Sequence, residues 1–152
     1  MSKSVKEKND EAGSFALNGM LLLSSIIHAP KHDFDMAQPF SIGFNIDARV
    51  SPARDTVFLY PHFFIKEEKT EETCAEFKLE FQFAVKGNID VLLPLATDGS
   101  VGINDVFAAT LNSIVYSTSR GVIYMALRGT HLQGAMLPII DPAMLKSAPL
   151  SK

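Results

Sequence analysis

Two segments of this 152-residue sequence alternate between apolar and polar residues with a period of two. Phe40 to Val50 carries an apolar residue at every even position and a polar residue or glycine at every odd position. Ala75 to Val85 carries apolar residues at every odd position, with charged and polar residues between most of them. The side chains of a strand point alternately to its two faces, so both segments are predicted to be antiparallel strands with one buried face.

Two other segments are apolar on both faces of the strands that they predict. Phe15 to His28 ends just before Pro30, and Thr56 to Ile65 follows a short polar turn. Pro61 interrupts the second segment, and because proline has no N–H it predicts an edge strand or a bulge. The connections between successive strands are short, which favours an antiparallel meander or a Greek key over parallel pairing.

Helical spacing replaces the period of two in the last third of the chain. Asn104 is predicted to be the N-cap of a long helix, and Gly121 is predicted to end it. Val122 to Leu127 fits either a strand or a helix. Asp141 precedes a proline, which predicts the cap of a last short helix, Pro142 to Lys146. The predicted fold class is therefore α+β: a four-stranded antiparallel sheet followed by a long helix and a short C-terminal helix.

Composition and charge narrow the class of protein. Hydrophobic residues make up 47% and charged residues 20% of the sequence, which is typical of a folded globular chain. The net charge of −3 offers no basic surface to a phosphate backbone, so nucleic-acid binding is not expected. We expect a flexible, charged N-terminal arm over residues 1–13, a single domain over 14–147 and a short tail over 148–152.

The start of the sequence does not resemble a targeting segment. Residues 1–13 mix lysines with acidic residues, whereas a signal peptide needs an early apolar stretch. Met20 to Leu23 is strongly apolar but far too short to span a bilayer. The single cysteine, Cys74, fits a reducing compartment. We therefore expect a cytoplasmic protein without direct membrane insertion.

The strands that are apolar on both faces predict an uncovered surface. If the long helix covers one face of the sheet, about six large apolar side chains remain on the other. Burying them would contribute roughly 9–18 kcal/mol, which rivals the ~5–15 kcal/mol stability of a whole domain. A second subunit or another polypeptide is therefore expected to cover them. The predicted residues for client binding or a subunit interface are Met20, Leu22, Ile26, Phe58, Tyr60 and Phe64.

Two groups of polar residues superficially suggest chemical sites. His28 and His32 lie four residues apart beside two aspartates, but Ala29-Pro30 breaks the helical geometry that would let such ligands converge. Four glutamates between positions 67 and 72 lie among lysines in an exposed hairpin, whereas acid–base catalysis needs a desolvated cleft. We predict neither a metal site nor a catalytic carboxylate pair.

Nucleophilic and nucleotide chemistry also lack their sequence signatures. The chain contains no Gly-x-Ser-x-Gly elbow, P-loop or Gly-x-Gly-x-x-Gly pattern. Cys74 opens a strand beside a charged loop with no histidine nearby in sequence, so an inert thiol is expected. We therefore predict no catalytic residue and no cofactor, and the expected activity is binding.

The order of these elements resembles that of the SecB family of export chaperones, from Phe15 to Lys146. Besides the two alternating strands, the resemblance rests on Ile27-His28-Ala29-Pro30, Ser119-Arg120-Gly121 and Leu137-Pro138-Ile139-Ile140-Asp141-Pro142. It implies a SecB-like homotetramer, a dimer of dimers, that holds unfolded polypeptides in long hydrophobic grooves without ATP.

The sequence departs from the export type at two places. Export members place a carboxylate for docking to the SecA motor at the position of His28, and they end in an acidic tail where this chain has Ala148 to Lys152. These departures argue against SecA as a partner. Solitary SecB-like proteins encoded beside toxin–antitoxin pairs protect an aggregation-prone antitoxin, so the expected client is an antitoxin or a preprotein.

A different class of function is also compatible with the predicted fold. A sheet that grips a C-terminal helix can enclose a pocket for a small apolar ligand. A hot-dog thioesterase fits less well, because that fold sets its long helix between strands rather than after them. The oligomeric state separates the two binding functions: we expect a tetramer for the chaperone and a monomer with a closed cavity for the ligand carrier.

Overall fold

The strands come first along the chain and the long helix comes last. A computed structural model describes residues 13–31, 39–141 and 144–145. Its elements are β1 (Ser14–Ile27), β2 (Phe40–Val50), β3 (Thr56–Glu67), β4 (Thr73–Lys86), α1 (Ile89–Leu92) and α2 (Asp105–Leu127). The predicted α+β class, a four-stranded antiparallel sheet followed by a long helix, is confirmed.

The sheet has the strand order β1-β4-β3-β2, and each neighbouring pair is antiparallel. β2, β3 and β4 form a meander through two short connections, and β1 lies beside β4. β1 and β2 are therefore the edge strands. The alternation of apolar and polar residues predicts which segments are strands, but it does not show which strands pair. The strand order is therefore known only from the structure.

The core lies between the sheet and α2. The odd-numbered side chains from Val57 to Ile65 and from Ala75 to Val85 point towards the helix and are buried, and Phe63 and Phe77 are completely inaccessible to solvent. On the helix, Val115 is equally buried. The ring of Tyr116 packs on the face of the sheet over β2 and β3, with its centroid 5.1 Å from that of Phe44 and 5.8 Å from that of Phe63. The alternating pattern of the sequence therefore identified the buried face of β2 and β4 correctly.

Asn104 caps α2 as predicted. Its Oδ1 accepts hydrogen bonds from the backbone N–H groups of Val106 (3.0 Å) and Phe107 (3.2 Å). These N–H groups belong to the first turn, which has no intrahelical acceptors of its own. Among the described helices, none combines the length and the apolarity needed to cross a bilayer.

The predicted end of the helix at Gly121 is wrong, because α2 runs on to Leu127. Ile123 and Leu127 are buried in the core, so tertiary packing holds the last turns in spite of the glycine. Gly121 itself lies on the exposed side, where a Cβ would meet no atom within 4 Å. Gly129, with a φ of 75°, takes the left-handed conformation that commonly follows a helix. Val122 to Leu127, which fitted either a strand or a helix, is helical.

Pro61 also differs from its prediction, since it lies in the central strand β3 and not at an edge or a bulge. β2 pairs with it at Ile46, while the ladder from β3 to β4 is interrupted at residues 60–61 without a change of register. Because proline cannot donate a hydrogen bond, this gap is where its missing N–H is accommodated. The predicted short helix, Pro142 to Lys146, lies mostly outside the described residues.

The chain that follows α2 runs back along the helix. The Arg120 Nε donates a hydrogen bond to the Leu137 carbonyl (2.8 Å), and the Tyr116 hydroxyl donates one to the Pro138 carbonyl (2.9 Å). We call residues 135–141 the C-terminal strap. Side chains of α2 therefore hold this strap by its backbone.

Candidate functional site

Two bulges divide the edge strand β1. Its register with β4 shifts at Asn18 and again at Leu23, and each of these residues has no counterpart in β4. A bulge reverses the face to which the following side chains point. β1 therefore consists of three regular pieces, residues 14–17, 19–22 and 24–27, joined by two reversals.

The pairing with β4 assigns the side chains of β1 to the two faces of the sheet, because directly opposite residues of antiparallel strands share a face. Met20 lies opposite Phe81 and Leu22 lies opposite Leu79, and both partners are buried on the side of α2. We call this side the helix face, and its β1 residues are Phe15, Leu17, Met20, Leu22, Ser25 and Ile27. We call the other side the open face, and its β1 residues are Ala16, Gly19, Leu21, Ser24 and Ile26.

This assignment corrects the expectation that Met20 and Leu22 share the open face with Ile26. Unbroken alternation would place all three together, but the bulge at Leu23 turns Met20 and Leu22 to the helix face. An isolated glycine inside a strand is a signal for a bulge, and Gly19 could have indicated the first one. No comparable residue marks the second bulge.

β1 leaves large apolar side chains uncovered on both faces. α2 packs against β3 and β4, and β1 lies to one side of it, touching it where the ring centroids of Phe15 and Phe107 are 5.4 Å apart. Single exposed apolar residues are common on protein surfaces, but a continuous group of this size marks an interaction site. Between 39% and 53% of the surface is exposed for Leu17, Met20, Leu21, Leu22, Leu23 and Ile26.

The aromatic residues on the open face of β3 are better covered than expected. The ring of Phe64 lies directly over Gly43, and the guanidinium carbon of Arg49 lies 5.4 Å from the centroid of the Tyr60 ring. Phe58, Tyr60 and Phe64 are all half-buried within the sheet itself. The uncovered apolar surface is therefore centred on β1 and is not shared equally between β1 and β3.

β1 is also a free edge of the sheet. In the part of the chain that the structure describes, no strand pairs with its outer side. The strand is 14 residues long and has no charged residue from Ser14 to Ile27. Exposed edges in natural proteins usually carry charges or prolines that prevent further pairing, and the other edge strand, β2, carries Asp47 and Arg49. The edge of β1 therefore lacks the charges and prolines that usually prevent further pairing.

The outer side of α2 is a second uncovered surface. No charged residue occurs from Val106 to Ser119, and the next residue, Arg120, is bonded to the strap. Val106, Tyr124 and Met125 are exposed, with small residues such as Thr110, Ser117 and Gly121 between them. Helices that face water normally carry charged residues on their outer side, so this surface also suggests an interface.

A cavity of about 350 Å³ opens beside the hairpin between β3 and β4, and not between the sheet and α2. The Lys31 Nζ lies 3.0 Å from the Glu72 Oε1 at its rim, and the buried Glu67 carboxylate accepts a hydrogen bond from Thr70 (2.8 Å). Within residues 13–31, 39–141 and 144–145, no group of three His, Cys, Asp or Glu side chains could hold a metal ion. His32 and the neighbouring aspartates lie outside the described residues.

Cys74 lines the same cavity as a free thiol. Burial raises the pKa of the Cys74 thiol, and the negative charges of Glu67 and Glu72 raise it further. Because the thiolate is the nucleophilic form of cysteine, a raised pKa lowers the fraction of reactive thiolate at neutral pH. His28 and His131, which are distant from Cys74 in sequence, line the same cavity.

Comparison with solved structures adds to this geometry. The Mycobacterium tuberculosis Rv1957 SecB-like chaperone, in complex with a ChAD peptide from the Rv1956 HigA1 antitoxin, matches with a TM-score of 0.51 and 17% sequence identity. The match covers 84% of this chain and 90% of that chain. The fold is SecB-like. This agrees with the resemblance seen in the sequence, at the level of the fold.

A second solved structure, a protein of unknown function from Streptococcus agalactiae, matches with a TM-score of 0.35 and 15% identity. That match covers 84% of this chain and 99% of that chain. Among protein-family models and curated proteins, no match to the sequence is found. The SecB-like assignment therefore concerns the architecture of the chain.

Proposed function

We propose that this protein is an ATP-independent chaperone that holds unfolded or aggregation-prone polypeptides and works as a homo-oligomer, namely a tetramer. The observation that carries the proposal is the apolar edge strand β1, which is uncovered on both faces and along its edge. The apolar side chains on its two faces would bind extended polypeptides, while its free edge would serve self-association. The SecB-like fold supports the same function.

The client surface would consist of the six residues selected from the sequence, now divided between the two faces. Met20 and Leu22 offer an apolar strip on the helix face. Ile26, on the open face, lies in the same row of the sheet as Phe64 of β3, with Glu76 of β4 between them. Methionine and aromatic side chains adapt to partners of varied shape, which suits a protein that binds many sequences. The open-face aromatics are Phe58, Tyr60 and Phe64.

The tetramer would use both uncovered surfaces of the chain. The edge of β1 can extend one sheet into another, and the uncharged outer side of α2 can pack against a second helix. Small residues in the middle of this helix face would let two helices approach closely, while Val106 and Met125 would pack at its ends. Two different interfaces on one chain generate a dimer of dimers.

The client proposed here is an antitoxin or another aggregation-prone protein encoded nearby, with preprotein export as the second possibility. The similar Mycobacterium tuberculosis chaperone was solved with an antitoxin peptide, which supports this order of preference. His28 stands where export members carry a docking carboxylate, so SecA is not proposed as a partner.

The proposal is tested with a chemically unfolded substrate whose aggregation is followed by light scattering. Near-stoichiometric protein should suppress aggregation equally well with and without ATP, because the mechanism is binding to an apolar surface. Size-exclusion chromatography with light scattering should give a mass four times that of one chain. Suppression that requires ATP, or no suppression at any ratio, would show that the proposal is wrong.

A further inference from the structure

Three side chains of α2 form a row that binds backbone. Asn112, Tyr116 and Arg120 are spaced four residues apart, so they lie on one side of the helix. Each of them donates a hydrogen bond to a main-chain carbonyl of the chain that follows α2, at Leu145 (3.3 Å), Pro138 (2.9 Å) and Leu137 (2.8 Å) respectively. We call these three residues the donor row. Because every residue has a carbonyl group, the donor row can bind a chain whatever its side chains are.

The donor row holds the C-terminal strap as an extended segment. Ala135 and Leu137 are buried, whereas Met136 between them is 53% exposed. This alternation is that of an extended chain with one buried face. Within residues 13–31, 39–141 and 144–145, the backbone of residues 136–140 makes no hydrogen bond to other backbone. The strap is therefore held by the donor row and by the apolar side chains of its buried face.

We propose that the donor row is a binding site for an extended polypeptide, and that the strap occupies this site until a client displaces it. The proposal rests on the function proposed above, because the displacing ligand is an unfolded client. The ligand class is an extended segment with small or aliphatic side chains at alternate positions. Ala135 and Leu137 are the side chains that fill these positions in the strap.

This site is separate from the apolar surface of β1. Tyr116, the middle residue of the donor row, packs over β2 and β3. β2 is the edge strand at the far side of the sheet from β1. A long client would therefore bind at β1 and at the donor row together, and two linked contacts bind more tightly than either one alone.

The strap has the properties of a replaceable occupant. Its outer side chains are uncovered, since Met136 is 53% and Ile139 is 83% exposed. Segments with few buried contacts open more readily than the strands of a core. Because the strap belongs to the same chain, it returns to the site at high effective concentration when a client leaves. The strap would thus shield the site in the free protein and would admit only clients that bind well.

The accessibility of a buried strap residue tests the displacement. Ala135→Cys is made in a background in which Cys74→Ser removes the native thiol, and its alkylation by iodoacetamide is followed by mass spectrometry. The client is a reduced, carboxymethylated protein, which stays unfolded and has no free thiol of its own. We expect alkylation of Ala135→Cys to be at least about ten times faster with saturating client, because the client exposes the strap.

Ala48→Cys in the same background is the matched control, because Ala48 on β2 is also 4% exposed and belongs to the sheet. Its alkylation should stay slow with and without client. Unchanged alkylation of Ala135→Cys with bound client would overturn the proposal. Equal acceleration of Ala48→Cys would also overturn it, because the client would then be opening the whole fold and not the strap.

A weaker strap should bind its site less well and compete less with the client. Leu137→Ala removes the main buried side chain of the strap and leaves the donor row intact, so we expect the client to bind at least about five times more tightly. Ile139→Ala changes an exposed residue of the same strap and should bind like the parent. Fluorescence anisotropy of labelled client measures the affinity, after circular dichroism has confirmed the fold. Equal affinity of folded Leu137→Ala and the parent would contradict the competition.

The outcome for the strap is separable from the outcome for the chaperone function. A client that binds and is kept from aggregating, while Ala135→Cys stays protected, would overturn the displacement and leave the chaperone function standing. A client that does not bind at all would overturn both. If Leu137→Ala does not fold, the alkylation of Ala135→Cys decides the question alone.

Discussion

Phe64 and Gly43 lie directly opposite each other in the pair formed by β2 and β3. A methyl group at position 43 would lie 2.0 Å from the Phe64 Cε2, so the ring occupies the space that any other residue would fill. The ring is held from the sides as well, by an edge contact with His62 (5.8 Å between centroids) and by the Lys66 ammonium group 5.4 Å from its centroid. Glycine inside a strand marks such a close approach.

We expect Gly43→Ala to lower the free energy of unfolding by about 1–3 kcal/mol, because the new methyl group would displace the Phe64 ring. Urea unfolding followed by circular dichroism measures this difference. Gly134→Ala is the matched control: its Cβ would meet no atom within 4 Å, so its stability should stay within about 0.5 kcal/mol of the parent. Equal stability of the two variants would contradict the packing role of Gly43.

Tyr116→Phe removes the hydrogen bond from the Tyr116 hydroxyl to the Pro138 carbonyl (2.9 Å) and leaves the ring in place. We expect the free energy of unfolding to fall by about 0.5–1.5 kcal/mol, since a partly buried carbonyl loses its donor. Tyr124→Phe is the control, because Tyr124 is exposed on the outer side of α2. If both variants unfold at the same urea concentration as the parent, the strap is not held by this bond.

The reactivity of Cys74 should depend on pH in the direction set by its burial, which raises the pKa of the thiol. At pH 8 we expect iodoacetamide to modify Cys74 more slowly in the folded protein than in urea, because less thiolate is present. The sign for stability follows from the raised pKa, because folding favours the neutral thiol. This stabilising contribution is fully present below the pKa of the thiol in the unfolded chain, and it is lost as pH rises from there through the higher pKa of the folded protein. Equal alkylation rates in both states would contradict the raised pKa.

Much of the fold follows from local patterns in the sequence. The alternation of β2 and β4 predicted their buried faces, and Asn104 predicted the start of α2, because each signal depends on residues close together in the chain. The continuation of α2 through Gly121 was not predictable locally, since buried contacts of Ile123 and Leu127 offset the glycine. Tertiary packing, and not propensity, decides where this helix ends.

The sequence predicted which residues of β1 are exposed, but it did not predict to which face of the sheet each of them points. The residues of β1 were selected because the strand is apolar on both faces, and all three of them, Met20, Leu22 and Ile26, are exposed. Their faces depend on the bulges at Asn18 and Leu23, and a bulge arises from the register with β4, which pairs β1 with a strand some 60 residues away. Likewise, the cover over Phe64 comes from Gly43 on a neighbouring strand.

Leu22→Asp separates the role of β1 in assembly from any role in folding. Leu22 is already 46% exposed in a single chain, so a carboxylate there can stay solvated and the fold should persist by circular dichroism. In a covered interface the same carboxylate would be buried without a partner, which is costly. We therefore expect a smaller mass by light scattering and weaker suppression of aggregation.

Asn45→Asp is the control for Leu22→Asp, because it adds the same charge on the exposed open face of the other edge strand. Its mass and activity should match those of the parent. Full assembly of Leu22→Asp, with unchanged suppression of aggregation, would mean that this part of β1 is neither an interface nor a client site.

The choice of client is the most specific prediction, and it depends on charge at the end of β1. Export chaperones dock on SecA through carboxylates, whereas this chain has His28 at the position that the resemblance assigns to one of them. Complementary charges steer partners together and like charges reject them. We therefore expect SecA to bind weakly, and we expect a neighbouring antitoxin with an exposed apolar segment to bind preferentially.

A competition pull-down at matched salt, with SecA and the proteins encoded next to this one offered together, measures this preference. Phe58 lies in the middle of the sheet, opposite Gln82 of β4. Phe58→Glu should release a client bound on the open face, because the new charge would replace the apolar ring that contacts the client. The carboxylate would lie beside Arg49 on β2, its other cross-strand neighbour, so the fold should tolerate the change.

Capture of SecA alone would contradict the expected preference and would favour a role in general protein export. Capture of one neighbour, lost in Phe58→Glu and kept in Asn45→Asp, would support a dedicated client.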